Sequence, residues 1–149
     1  MTRFHEFPDL EAVASVWLRE GNITGLAGVH SSIPAEPSFP LIQVQRVGGI
    51  PAVRQYLDMA RIQFDVWGGI RSDGVGISKS ELVRITQQSL ARIQDLEGVT
   101  MTSPVHVFVS GVDISQGVTW LPDTSTGRDR YMFTCVLFGR KMDLEEDSS

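Results

Sequence analysis

A single cysteine, Cys135, is all that the 149-residue chain holds. That excludes an internal disulfide and a cysteine-based zinc cluster. Cys135 lies within RYMFTCVLFG, an apolar strand pattern in which a buried structural thiol is the expectation. The three histidines, His5, His30 and His106, are too far apart in sequence for a ligand pair. His30 and His106 fall in strand contexts, where a satisfied structural imidazole is expected rather than a ligand. No Lys/Arg-rich stripe is present, which argues against tight electrostatic binding to nucleic acid. No apolar run reaches transmembrane length and the first residues lack an apolar signal core, so a chain made and working in a cytoplasm is expected. The sequon Asn22-Ile23-Thr24 is then a chance match.

Catalytic patterns are missing as well. GGIRSDGVG sets Gly69 and Gly74 at the interval of a phosphate-binding Walker loop, but Val75 stands where the lysine is required. Gly74-x-Gly76 alone, without a parallel-sheet context, reads as surface loop. There is no G-x-S-x-G elbow and no D-x-D-x-D-G calcium loop, and Cys135 sits inside a strand rather than at a helix start. Carboxylate pairs occur only in the C-terminal tail and at Asp123 and Asp129. The expectation is a non-enzymatic chain with no cofactor and no metal site.

What is present is the composition of an ordinary globular domain, 42% hydrophobic and 21% charged, at a net charge of −5. Four of the acids lie in Asp143-Leu-Glu-Glu-Asp-Ser-Ser149. Residues 1–142 therefore read as one α+β domain and 143–149 as an acidic disordered tail.

Leu10, Val13, Ala14, Trp17 and Leu18 have helical spacing, preceded by Pro8-Asp9 and closed at Gly21-Asn22. GVHSSIP has room for a short strand, and PAEPSFP is a stiff extended connector. Leu41–Val47 is a strand that Gly48-Gly49-Ile50-Pro51 breaks. A second helix starts at Ser78, where Ser78-Lys-Ser-Glu81 fits a capping box. It runs through Leu82, Ile85, Ser89, Ile93 and Leu96 to a stop at Gly98. PVHVFVSG and DISQGVTWLP follow as strand segments, then a loop around DTSTG and a final strand in GRDRYMFTCVLFGR. The order helix, strands, helix, strands predicts a small, mainly antiparallel sheet packed with two helices.

Two strands carry more apolar surface than such a domain needs. In YLDMARIQFDVWGG, Ala60, Ile62, Phe64 and Val66 point one way, and Met59, Arg61, Gln63, Asp65 and Trp67 the other. In the final strand Tyr131, Phe133, Cys135 and Leu137 oppose Met132, Thr134, Val136 and Phe138, so both faces are largely apolar. An antiparallel sheet with helices on one side ordinarily leaves its other face wet. Either the chain's own helices cover both faces or a second chain does.

Three stretches in order, FPLIQVQRVGG (Phe39–Gly49), YLDMARIQFDVWGG (Tyr56–Gly69) and WLPDTSTGRDRYMFTCVLFGR (Trp120–Arg140), resemble the tail terminator proteins of long-tailed bacteriophages, those of actinobacteria above all. That family shows an early helix, then F-P-x-hydrophobic-x-V-x-R-x-G-G and a strand ending in D-x-W-G. An amphipathic helix follows, then L-P-D-x-x-T-G-x-x-R-Y leading into the last strand. The resemblance runs from about Asp9 to Arg140; each motif is a strand-and-turn signature, and their joint order carries it. Two features depart from the pattern. The helix in SKSELVRITQQSLARIQDLEG is more polar than usual, and LEGVTMTSPVHVFVSGV is longer, with room for an added strand or loop.

The resemblance implies a ring-forming subunit, six to the ring, that caps a completed tail tube and offers a docking surface to the neck. Its partners would be copies of itself, the tail tube protein and a head-completion or neck connector protein. DNA would meet it only in passage through the lumen, and no membrane is involved. The protein would reside at the tail-neck junction of the virion, after assembly in the host cytoplasm. Met59, Arg61, Asp65, Trp67, Met132, Val136 and Phe138 are then candidates for the subunit interface, with Arg61 and Asp65 as registering charges. The loop holding Arg46, Gly48, Gly49 and Arg54 would face the tube or the lumen, with an ordinary mobile loop as the plain alternative. A neck connector ring and a small ligand-binding or enzymatic α+β domain are the competing readings.

Overall fold

The computed structural model describes residues 9–51 and 57–142. Arg54, Tyr56, Pro8 and the acidic tail fall outside the described residues.

Both helices begin where the sequence supplies a cap. The Asp9 carboxylate accepts the amide of Ala12 at 3.0 Å, and α1 runs over Leu10–Glu20. Leu10, Val13, Ala14 and Leu18 line its buried face. Ser78 Oγ accepts the amide of Glu81 at 3.2 Å, and α2 runs over Lys79–Gln94. The capping box closes on that side only, because the Glu81 carboxylate bonds Arg71 instead of reaching back. Leu82, Ile85, Ser89, Ile93 and Leu96 are buried as their spacing predicts, although the helix itself ends four residues before Gly98, at the Asp95 cap.

One six-stranded sheet is formed by β1 (Gly28–His30), β2 (Leu41–Pro51), β3 (Leu57–Trp67), β4 (Thr100–Met101), β5 (Val107–Trp120) and β6 (Arg130–Lys141). The spatial order is β1-β2-β3-β6-β5-β4. Only the β1–β2 pair is parallel; the others are antiparallel. This is the small α+β architecture the sequence predicts. Both helices pack on one face of the sheet, where Ile42, Val44, Ala60, Ile62, Phe64, Val66, Phe133, Cys135 and Leu137 form a continuous core with them. Phe64 and Phe133 stack there with ring centroids 4.6 Å apart.

Three local expectations are corrected. Gly48-Gly49-Ile50-Pro51 does not break β2: the register shifts by one residue between Arg46 and Gly48, a bulge, and pairing resumes to Pro51 opposite Asp58. Gly49 makes this possible. Its φ is +112°, and a Cβ there would lie 2.0 Å from the Met59 carbonyl oxygen. Gly48 and Gly49 are therefore strand residues and not the tip of a loop. In the last third, the two expected segments fuse into the single strand β5, which absorbs the irregularity as three register shifts. Val105 and His106 lie before that strand, and the extra length upstream of it houses β4.

The sheet edges are only partly covered. β1 lies beside Leu41–Gln43 and β4 beside Val107–Phe108. Beyond β1, the Glu11 carboxylate accepts the amide of Arg46 at 2.9 Å. Beyond β4, the Glu97 carboxylate accepts the amide of Val112 at 3.1 Å.

Candidate interaction surface

Side chains alternate along a strand, so every residue paired to one on the helix-free face shares that face. Reading the register across β3, β6 and β5 gives four rows: Met59–Phe138–Gly111, Arg61–Val136–Asp113, Gln63–Thr134–Gln116 and Asp65–Met132–Thr119. β2 extends three of them with Gly48, Gln45 and Gln43, and a fifth row joins Leu41, Trp67 and Arg130. All seven candidate interface residues, Met59, Arg61, Asp65, Trp67, Met132, Val136 and Phe138, therefore lie on one surface that neither helix covers. Met59, Trp67, Val136 and Phe138 are half-buried there, Met132 is buried, and Arg61 is exposed.

Asp65 is 1% exposed even though it belongs to this open face. Its neighbours enclose it. Gln63 Nε2 donates to both carboxylate oxygens at 3.1 and 2.9 Å, and Arg130 Nη1 stands 3.9 Å away. The Arg130 guanidinium also lies 4.7 Å from the centre of the Trp67 ring, whose Nε1 donates to Gln43 Oε1 at 3.4 Å. Burial pushes the Asp65 carboxyl above its ordinary value, against the opposing pull of Gln63 and Arg130. Gln43, Gln63, Arg130 and the Ser115–Thr134 hydroxyl pair (2.8 Å) were not singled out by the sequence. The period-two pattern of β2 places Gln43 and Gln45 together, but only the strand order brings them to Asp65.

Arg46 and Gly48–Gly49 are not brought into one site. The Arg46 side chain turns to the helix side and holds the fully buried Asp58 by two bonds, 2.5 and 2.9 Å. Its pKa is raised, first by that bond to Asp58. This ion pair joins the middle of β2 to the start of β3, buried on the Asp58 side and open to solvent on the Arg46 side.

Elsewhere the described residues offer little chemistry. No group of three or more metal-ligating side chains is present among them. Burial pushes the Cys135 thiol up to about 12, so it is no nucleophile at neutral pH. A groove of about 510 Å³ between α1 and β1 contains Arg19 and His30, but Arg19 is spent on the Val29 carbonyl at 2.8 and 3.2 Å. Another, of about 550 Å³, contains Arg128 and Asp129; the first stacks on Phe39 and the second accepts Trp120 Nε1. The Asp123 carboxyl organises the β5–β6 loop by accepting the hydroxyls of Thr126 and Ser125, which hold it below its usual range. Among the described residues, the surface that stands out is the open sheet face. No helix among the described residues is long and apolar enough to cross a membrane. The sequence matches no protein-family model, and no curated protein matches it significantly.

Proposed function

We propose that the chain is a structural subunit of a phage particle, assembling as a ring of six copies on the end of the completed tail tube. There it stops tube growth and presents its other side to the head-completion or neck connector protein. The observation that supports this most is the helix-free face. Four half-buried apolar side chains and a buried carboxylate share it, and no catalytic set accompanies them among the described residues. Large apolar groups left without a covering element mark contact surfaces in soluble proteins. The motif order from Phe39 to Arg140 supports the particular post on the tail. Capping is an effect of shape: the ring matches the last tube ring on one side only, so the next subunits find no seat.

The test is the solution mass by light scattering, alone and with purified tail-tube protein. A mass of six copies, or a ring that forms on adding tube protein, is the expected result. A chain that remains single and never binds tube protein would end this reading. Trp67→Asp separates contact from core: ring formation should fall while the thermal midpoint of the isolated chain changes little.

A further inference from the structure

We propose that the open sheet face is self-complementary, and that two copies pair through it about a two-fold axis running along β6. β3 and β5 flank β6 on either side at the usual strand spacing of about 4.8 Å. Rotation about an axis parallel to β6 lays β3 of one copy over β5 of the other, with the sheets about 10 Å apart and strands aligned as in a sandwich.

The four rows then meet as fitting pairs. Arg61 faces Asp113 of the second copy, and Asp113 faces its Arg61. Both side chains are exposed, and neither has an ion-pair partner among the described residues. Met59 meets the Gly111 position, where the Phe138 ring lies close by, and Gln63 stands opposite Gln116, while Asp65 stays enclosed by Gln63 and Arg130 of its own copy. On the axis itself Phe138, Val136 and Met132 each meet their own copy, which accounts for the second apolar face of β6. A rotation across the strands keeps Arg61 and Asp113 on opposite sides of β6, and about their own row it sets Arg61 against Arg61. Only the axis along β6 brings these two exposed charges together. Arg130 lies on the axis as well, but its guanidinium is turned sideways over Trp67 and onto the Leu121 carbonyl at 3.0 Å.

Such a contact is isologous, each patch meeting its own image, whereas a ring with two unlike sides needs heterologous contacts. The pairing therefore competes with any ring contact made through this face. It describes the free chain, and the ring of the capping reading then forms only when tube protein is added. Light scattering with charge reversals decides. Without tube protein, the wild-type chain should give twice the chain mass. Arg61→Asp and Asp113→Arg should each weaken pairing by at least about tenfold, since each puts like charges together twice per pair. An equimolar mixture of these two variants should pair again, as should the double variant Arg61→Asp/Asp113→Arg. If a reversal disturbs folding, Arg61→Gln and Asp113→Asn carry the same test at low salt. A wild-type chain that stays single, single variants that pair normally, or a mixture without rescue would overturn the proposal. So would a six-copy mass indifferent to the reversals, which would leave the capping reading in place.

Discussion

Trp17 and Arg92 exchange hydrogen bonds: the indole Nε1 donates to the Arg92 carbonyl at 2.6 Å, and Arg92 Nε donates to the Trp17 carbonyl at 2.9 Å. The guanidinium carbon lies 3.5 Å from the indole ring centre. This clamp fastens α1 to α2 above the sheet. Arg92→Ala removes the donor and the stacked cation together, and should lower stability by about 1–2 kcal/mol. The denaturant midpoint should fall with an unchanged slope.

Arg46 and Asp58 should behave unlike a surface pair. The Asp58 side chain is 1% exposed and that of Arg46 34%, so Arg46→Leu strands a buried carboxylate. We expect a loss near the low end of about 3–5 kcal/mol, because solvent reaches the guanidinium side. Replacing both residues by leucine should cost clearly less than Arg46→Leu alone. Thermal unfolding of the two variants side by side measures the difference.

Asp65 gives a pH dependence of definite sign. Its pKa in the fold is raised above the ordinary 3.8, with burial as the leading cause. A raised carboxyl value means that its contribution to stability is present below the unfolded value and lost as pH rises through the folded one. Asp65→Asn should therefore raise the melting temperature at pH 7, and the gain should shrink as the pH falls toward about 3.8. A gain that is constant with pH would show that packing rather than ionisation is responsible.

Cys135 should resist thiol reagents in the native state. The side chain is fully buried in the core, and its thiol titrates near 12. Labelling at neutral pH should follow global unfolding, rising with denaturant along the same transition as circular dichroism. Rapid labelling of the folded chain would mean that β6 opens locally.

Periodicity made much of this fold legible. The buried faces of α1, α2 and β3 follow from spacing alone, since Leu10–Leu18, Leu82–Leu96 and Ala60–Val66 repeat at the intervals their elements require. The path of β2 through Gly48-Gly49 was not legible. A glycine pair flags a backbone freedom, and only the opposing Met59 carbonyl decides whether a turn or a bulge uses it. Glu81 shows the same limit, because Arg71 competes for its carboxylate from a loop that the capping pattern does not include. At the candidate surface, the split faces of β3 and β6 were readable. The neighbourhood of Asp65 was not, since Gln43 and Arg130 reach it through strand order rather than sequence distance.

The carboxylates of Glu11 and Glu97 have a further consequence for the chain's life at high concentration. Unpaired strand amides are templates on which fibrils nucleate, and neighbouring copies then add one after another. Here each part-covered margin of the sheet has one amide already bonded to a side chain of its own subunit, close to a backbone bulge. An arriving strand would have to displace a charged acceptor and straighten the bulge before its first bond formed. Each margin of the sheet thereby resists becoming the first seat of a fibril.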